Sequence, residues 1–363
     1  MKNIIGHILL TAASSLMLLA CGGSHDEIFR SSCEFARYFD IMGDDSVVVI
    51  SPDGTRDTVV FAEPVSRIVC MSSTHVACLS AIGADSLICA VSGVRYISDS
   101  SIVRRHSAAA GNMPADKKID LLPLYDIGYD NSLDYELILS LAPDLLLAYS
   151  VSASEPQYIT KLRSLGIPVL VLHDYREEHP LARAEYVKLF GTIAGRKGAA
   201  DSLFAHVRDN YLSLAACAHD GHARVLMNVP YSDAWYIPGT SNYMARLVSD
   251  AGGEVLGAEP GVSGSGIISL EQAYSLSVHA DLWLNPGHCS TRGELAAMHH
   301  LFPSFGPLAN GLPIYNNTLR ANSEGGNDFW ESGAVRPDLI LEDLLNIFGK
   351  KDDVPLHYFI RLD

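Results

Sequence analysis

From Ser66 onward the chain alternates short apolar runs with stretches whose apolar residues recur at helical spacing. Ile68–Met71, Leu87–Val91, Leu145–Ala148 and Val169–Leu172 read as strands, with helices at His75–Ile82, Asp134–Leu141 and Glu155–Leu165. That alternation predicts an α/β layer around a largely parallel sheet. A second series starts at Arg224–Asn228 and runs through Tyr243–Ala251, Leu270–Leu276 and Asp281–Asn285. The two series share a segment: Asp134-Tyr-Glu-Leu-Ile-Leu-Ser-Leu141 aligns with Ser269-Leu-Glu-Gln-Ala-Tyr-Ser-Leu276. Each copy starts on an N-cap residue, places Glu second in the helix and leads into Asp-Leu and a strand, at Asp144 and Asp281. The prediction is two Rossmann-like α/β lobes, 64–180 and 219–363. Residues 181–218 contain no Pro and read as one long connecting helix, a strut whose middle Gly191, Gly195 and Gly198 loosen.

Ahead of the lobes, residues 36–63 read as a β-hairpin extension, with Ser46–Ile50 and Thr58–Phe61 flanking a turn at Ser51-Pro-Asp-Gly54. Residues 21–35 are small and polar and read as a tether. Residues 1–20 place Lys2 before an apolar stretch from Ile4 to Ala20, the pattern of a secretory signal. The chain has 363 residues, 48% hydrophobic and 19% charged, a globular composition with room for two domains. Its 26 Lys and Arg against 42 Asp and Glu give a net charge of −16, which repels phosphate backbones and speaks against a nucleic-acid partner. There is no CxxC for structural zinc, and Cys70, Cys78 and Cys89 sit in apolar runs as small core residues with free thiols. Motifs of the GxSxG, HExxH and GxxxxGK[ST] types do not occur, which counts against hydrolase chemistry.

Leu18-Leu-Ala-Cys-Gly-Gly23 resembles the bacterial lipobox, in which signal peptidase cuts before a Cys that then receives lipid. That implies anchoring through Cys21 at the cell envelope, facing the periplasm, with display on the outer surface as the alternative. Further along, Pro64-Val-Ser-Arg-Ile-Val-Cys-Met-Ser72, Leu141-Ala-Pro-Asp-Leu-Leu146 and Leu162-Arg-Ser-Leu-Gly-Ile-Pro-Val169 occur in that order. Trp235-Tyr-Ile-Pro-Gly239, Ala251-Gly-Gly253 and Arg336-Pro-Asp-Leu-Ile-Leu-Glu-Asp-Leu344 follow in the second half. Taken together, residues 64–350 resemble the class III periplasmic binding proteins of ABC importers for ferric siderophores, haem and cobalamin. Tyr315-Asn-Asn317 and Gly325-Gly-Asn-Asp-Phe-Trp-Glu-Ser-Gly333 are similar to a branch found in Bacteroidetes lipoproteins. The resemblance implies a monomeric binding protein with no catalytic residue and no cofactor, whose cargo is a metal chelate held in a ligand cleft between the lobes. It also implies a permease dimer with its ATPase as partner, docked by one Glu from each lobe. Those positions match Glu136 and Glu271, where the helix dipole favours a first-turn carboxylate, a role that helix stabilisation alone explains as well.

Ligands of open α/β sheets bind beyond the carboxyl ends of the strands. The residues there are Arg95 and Tyr96, Tyr129, Tyr149, His173, Trp235 and Tyr236, and His288, with Arg320 and Trp330 in the closing loops. Aromatic planes mixed with Arg suit a large, partly apolar and partly anionic ligand, although core packing explains each aromatic equally well. His173 and His288 have the chemistry to ligate a chelated metal, and a hydrogen-bonded or solvent-facing imidazole is the plainer reading of both. Ser265 stands where some cobalamin binders carry Trp, which weakens a corrinoid assignment. The alternatives are a zinc or manganese binder, for which His299-His300 is the only His doublet, and a surface lipoprotein capturing ligand.

Overall fold

The computed structural model describes residues 31–61, 65–111, 122–129, 132–150, 155–218, 222–351 and 353–363. The secretory run, the lipobox with Cys21 and the tether up to residue 30 lie outside the described residues. The first element is a three-stranded antiparallel sheet, β1 (Phe39–Met42), β2 (Ser46–Ile50) and β3 (Arg56–Val60). It contains the expected hairpin as β2 and β3 and adds β1.

The first lobe follows as β4 (Ile68–Cys70), α1 (Ser73–Ala81), β5 (Ile88–Val91), α2 (Ser100–Ala109), β6 (Tyr125–Asp126), α3 (Tyr135–Leu141), β7 (Leu145–Tyr149), α4 (Gln157–Ser164) and β8 (Val169–Leu172). Its sheet has the order β6-β5-β4-β7-β8, every pair parallel. Alternation sorts the side chains: Ile68, Cys70, Leu145 and Leu147 enter one core, and Val69, Leu146 and Ala148 enter a second core under α3 and α4.

Where one connecting helix over 181–218 was expected, there are two, α5 (Pro180–Ile193) and α6 (Lys197–Ala216). The chain turns at Gly195, whose φ of 64° is left-handed backbone that glycine adopts without a Cβ penalty. The helices then pack against each other at Gly191, where a Cβ would meet the Ala200 methyl.

The second lobe runs β9 (Ala223–Met227), β10 (Trp235–Pro238), α7 (Tyr243–Asp250), β11 (Gly253–Val255), β12 (Ser265–Ile268), α8 (Leu270–Ser277), β13 (Leu282–Leu284), α9 (Arg292–Met298), α10 (Gly306–Ala309), β14 (Ile314–Asn316), α11 (Ser332–Val335), α12 (Pro337–Phe348) and β15 (Ile360–Arg361). Its sheet is β11-β9-β13-β14-β15, parallel except for β15, with β10 and β12 as a separate antiparallel ribbon. Setting edge strands β6 and β15 aside, both sheets place their strands second-first-third-fourth. The two lobes also share framework bonds. Asp144 accepts the backbone N–H groups of Ser66 and Arg67, each at 2.9 Å, and Asp281 accepts that of Arg224 at 2.9 Å.

One continuous core runs from the first lobe through α5 and α6 into the second, and α1 packs on α5 and on α11. The N-terminal sheet is fastened to this body by two buried carboxylates. Glu185 accepts the backbone N–H groups of Glu34, Phe35 and Ala36 at 2.8–2.9 Å, and Glu177 accepts those of Arg37 and Tyr38. Residues 34 and 35, expected in the tether, are thus part of the folded body. All six described cysteines are free, and four of them are buried.

Candidate functional site

In each sheet the strand order reverses between the first and third strands, β4 and β7 in one lobe and β9 and β13 in the other. A crevice opens at such a switch point. In the second lobe Met227, Leu284 and Tyr315 lie side by side in register. The residues that follow them are Asn228, Asn285 and Asn316. Asn228 and Asn285 take φ values of 67° and 56°, left-handed backbone that Asn tolerates better than most L-residues. Their N–H groups still continue the ladder, to the Leu284 and Tyr315 carbonyls.

This row is braced from below by aromatic side chains. The Trp235 indole donates to the Met227 carbonyl at 2.9 Å, and that of Trp283 to the Asn228 carbonyl at 2.7 Å. The two indoles stack on each other and on Phe305. Both carbonyls at the head of β9 are therefore held from inside the core.

Above the row lies an open cleft of about 540 Å³. Its walls carry Tyr231, His288, Met298 and Trp330, and its amides come from Asn228, Asn285, Asn317 and Asn327. No Lys or Arg lines it, and Glu294 is its carboxylate among the described residues. Cys289, also at the wall, donates to the Met298 sulfur, and burial together with Glu294 pushes its thiol pKa up. Asn285 is only 7% exposed, and its Oδ1 has no hydrogen-bond partner among the described residues.

Asn327 and Trp330 reach the cleft on a strap, residues 317–331, that also grips the first lobe. Asn322 Nδ2 donates to the carbonyls of Arg95 and Ile97, and Glu331 accepts the N–H groups of Ser98 and Asp99 at 2.6 and 3.0 Å. Gly326 lies so close to Tyr96 that a Cβ would stand 2.7 Å from the Tyr96 carbonyl oxygen. Burial lifts the Glu331 carboxyl to about 7 against the two N–H groups that favour its charge.

His288 and Trp330 line the wall described above. Arg95, Tyr96 and Tyr129 form their own cluster on the first lobe, with the guanidinium 4.6 Å from the centre of the Tyr96 ring. Tyr149 ends β7, its carbonyl accepting from the Tyr158 hydroxyl. Tyr236 is exposed on the ribbon, and Arg320 pairs with Asp328 at 3.2 Å and covers the Tyr358 ring. One assignment is corrected. Trp235 is 1% exposed and belongs to the aromatic core, because stacking and a backbone acceptor draw the indole inward. His173 is buried with its ring edge against Tyr38 of the N-terminal segment, and burial lowers its pKa.

Glu136 and Glu271 occupy the same position, second in α3 and α8, and both are exposed. Asp134 caps the first helix, and Ser269 with Gln272 forms a capping box on the second. Hydrogen bonds from Ser269 and its own N–H hold the Glu271 carboxyl below its ordinary pKa. The amides of Asn228, Asn317 and Asn327 were missed from sequence because Asn after a strand ordinarily signals a turn. The available signal was Asn recurring at the ends of neighbouring parallel strands.

A family model described as periplasmic binding protein matches residues 68–297. An uncharacterised lipoprotein of Methanocaldococcus jannaschii is 24% identical over 308 residues, 82% of this chain and 69% of the relative. Among solved structures, the periplasmic haem-binding protein HutB of Vibrio cholerae superposes with a TM-score of 0.54 at 19% identity, covering 76% of this chain and 98% of that one. The periplasmic vitamin B12-binding protein BtuF of Vibrio cholerae gives 0.54 at 14% identity, covering 80% and 99%.

Proposed function

The chain belongs to the periplasmic binding protein family, and on that premise we propose that it captures a metal chelate for an ABC importer while anchored through lipid on Cys21. It is a binding protein and not an enzyme, and what it holds is cargo, not cofactor. The observation that carries the ligand reading is the cleft beyond β9, β13 and β14. Its volume lies within the ~300–1,000 Å³ of small-molecule sites, and its exposed Tyr231 and Trp330 offer planes for a flat apolar framework. A chelate fits better than a bare ion: among the described residues no three His, Cys, Asp or Glu converge. The candidate cargoes are a ferric siderophore, haem or a corrinoid. Glu136 and Glu271, one at the tip of each lobe, are the proposed contacts with the permease dimer, where Arg would bind each carboxylate bidentately.

Tryptophan-fluorescence titration against haemin, ferric siderophores and cyanocobalamin tests the reading, with free tryptophan as control for nonspecific quenching. Saturable one-to-one quenching is expected, and Trp330→Phe should weaken the affinity it reads because Trp330 lines the cleft. Absence of saturable binding to every ligand class would overturn the proposal.

A further inference from the structure

The amide row has a chemistry that narrows the cargo. Asn316 spends its side chain on the framework, donating to the carbonyls of Gly287 and Cys289 and accepting the Asn317 N–H. Asn285 does not. Its Oδ1 is buried at the cleft with no donor among the described residues, a state that is unfavourable until a partner satisfies it. Asn317, which lines the same cleft, accepts from Asn327 through Oδ1, and no hydrogen bond among the described residues uses its Nδ2. The wall thus offers an acceptor and a donor, both neutral.

Charge points the same way. Among the described residues no cation lines the cleft, and Glu294 does. Of the two arginines expected at the ligand, Arg320 pairs with Asp328 and Arg95 lies over the Tyr96 ring, and neither lines this cleft. A ligand rimmed by carboxylates would bring acceptors and negative charge to an unpaired acceptor and a carboxylate. A primary carboxamide would give its N–H to Asn285 Oδ1, take the Asn317 Nδ2 proton on its carbonyl and carry no charge. Resting on the chelate-binding reading of the cleft, we propose that Asn285 and Asn317 form a specificity element that selects chelates with a neutral carboxamide rim over the same frameworks bearing carboxylates.

The test is calorimetric titration of the full-length protein in detergent, with protein-free micelles as control. Two matched pairs serve as probes: a corrin with carboxamide side chains against its acid form, and haemin against its bis-carboxamide. At least one carboxamide should bind about tenfold tighter than its acid. Asn285→Gly keeps the left-handed backbone and should shrink that preference to about threefold or less. Asn317→Ser is the second variant, with the same expectation, should the first not fold. An acid that binds as tightly as its amide, or binding of ferric siderophores with neither pair bound, overturns the rim selection and leaves the binding role intact. No binding by any probe or siderophore overturns both.

Discussion

The two lobes use one scaffold and finish it differently. Strand order, a strand-leading Asp and a first-turn Glu recur in both, yet the strand ends diverge. In the first lobe side chains tie down the ends of β5 and β6: Asp126 accepts the N–H groups of Gly93, Val94 and Gly128, and the Ser92 hydroxyl donates to the Gly128 carbonyl. In the second lobe the tips are three asparagines, two in left-handed backbone, braced from below by indoles and open above to a cleft. A duplicated fold keeps its framework bonds because every copy needs them, while the strand ends are free to specialise. In the proposed function the second lobe carries the polar recognition surface. The first lobe contributes through the strap that holds Trp330 in place.

The largest expected effect tests what the lobes share. Reversing Glu136 and Glu271 together to Arg should abolish uptake and leave ligand affinity unchanged, since both carboxylates are exposed and the cleft does not use them. Equal docking by the lobes predicts a similar partial loss for each single reversal, read by uptake of labelled ligand in cells. Undiminished transport by the double variant would remove the docking role.

Next in size is the brace that only the second lobe has. Trp283 stands opposite Leu226 on the central strand, and its counterpart in the first lobe is Leu146, opposite Val69. Trp283→Leu copies the first lobe's residue. It should cost about 3 kcal/mol by chemical denaturation, as large-to-small core changes do, and weaken ligand binding by freeing the Asn228 carbonyl. Equal affinity in the variant would mean that the indoles serve stability alone.

Much of this scaffold was legible in the sequence. The buried strands are short apolar runs, the repeated Glu segment marks the duplication, and the helices between them have helical periodicity. The gaps have physical causes. β1 has four residues with a single buried pair, too short for a periodic signal. The turn between α5 and α6 rests on one left-handed glycine in an otherwise helical pattern. Trp235 and Trp330 both follow strands or loops in polar company, and only tertiary packing sends one to the core and the other to the cleft. The docking of residues 34–38 on Glu185 and Glu177 joins positions about 140–150 apart and has no local signature.

Two buried carboxyls make the attachments of the first lobe depend on pH. Glu177 holds the N-terminal sheet and Glu331 holds the strap, and burial lifts each to about 7. An unfolded chain loses the same protons near ~4.3. Between those values the native state binds more protons, so their contribution to stability is full below about pH 4 and declines as pH rises through about 7. Thermal melts from pH 5 to 8 should show the decline, and Glu177→Gln and Glu331→Gln should each flatten part of it. A slope that neither variant changes would assign the decline to other groups.

The smallest effect comes from the bonds that both lobes retain. Asp144→Ala and Asp281→Ala should each cost about 1 kcal/mol, because each removes acceptors that tether the start of a first strand. Their salt dependence should differ. Asp144 serves two backbone N–H groups and the Ser66 hydroxyl, whereas Asp281 also binds the Arg224 guanidinium at 2.9 Å, which holds its carboxyl below the usual range. That ion pair is nearly half exposed on both sides and is screened by salt. Raising ionic strength should therefore shrink the penalty at Asp281 and leave that at Asp144 in place, as read by denaturant midpoints. Equal shrinkage at both would mean that the tether in the first lobe is also electrostatic and that the lobes differ less in their frameworks than in their tips.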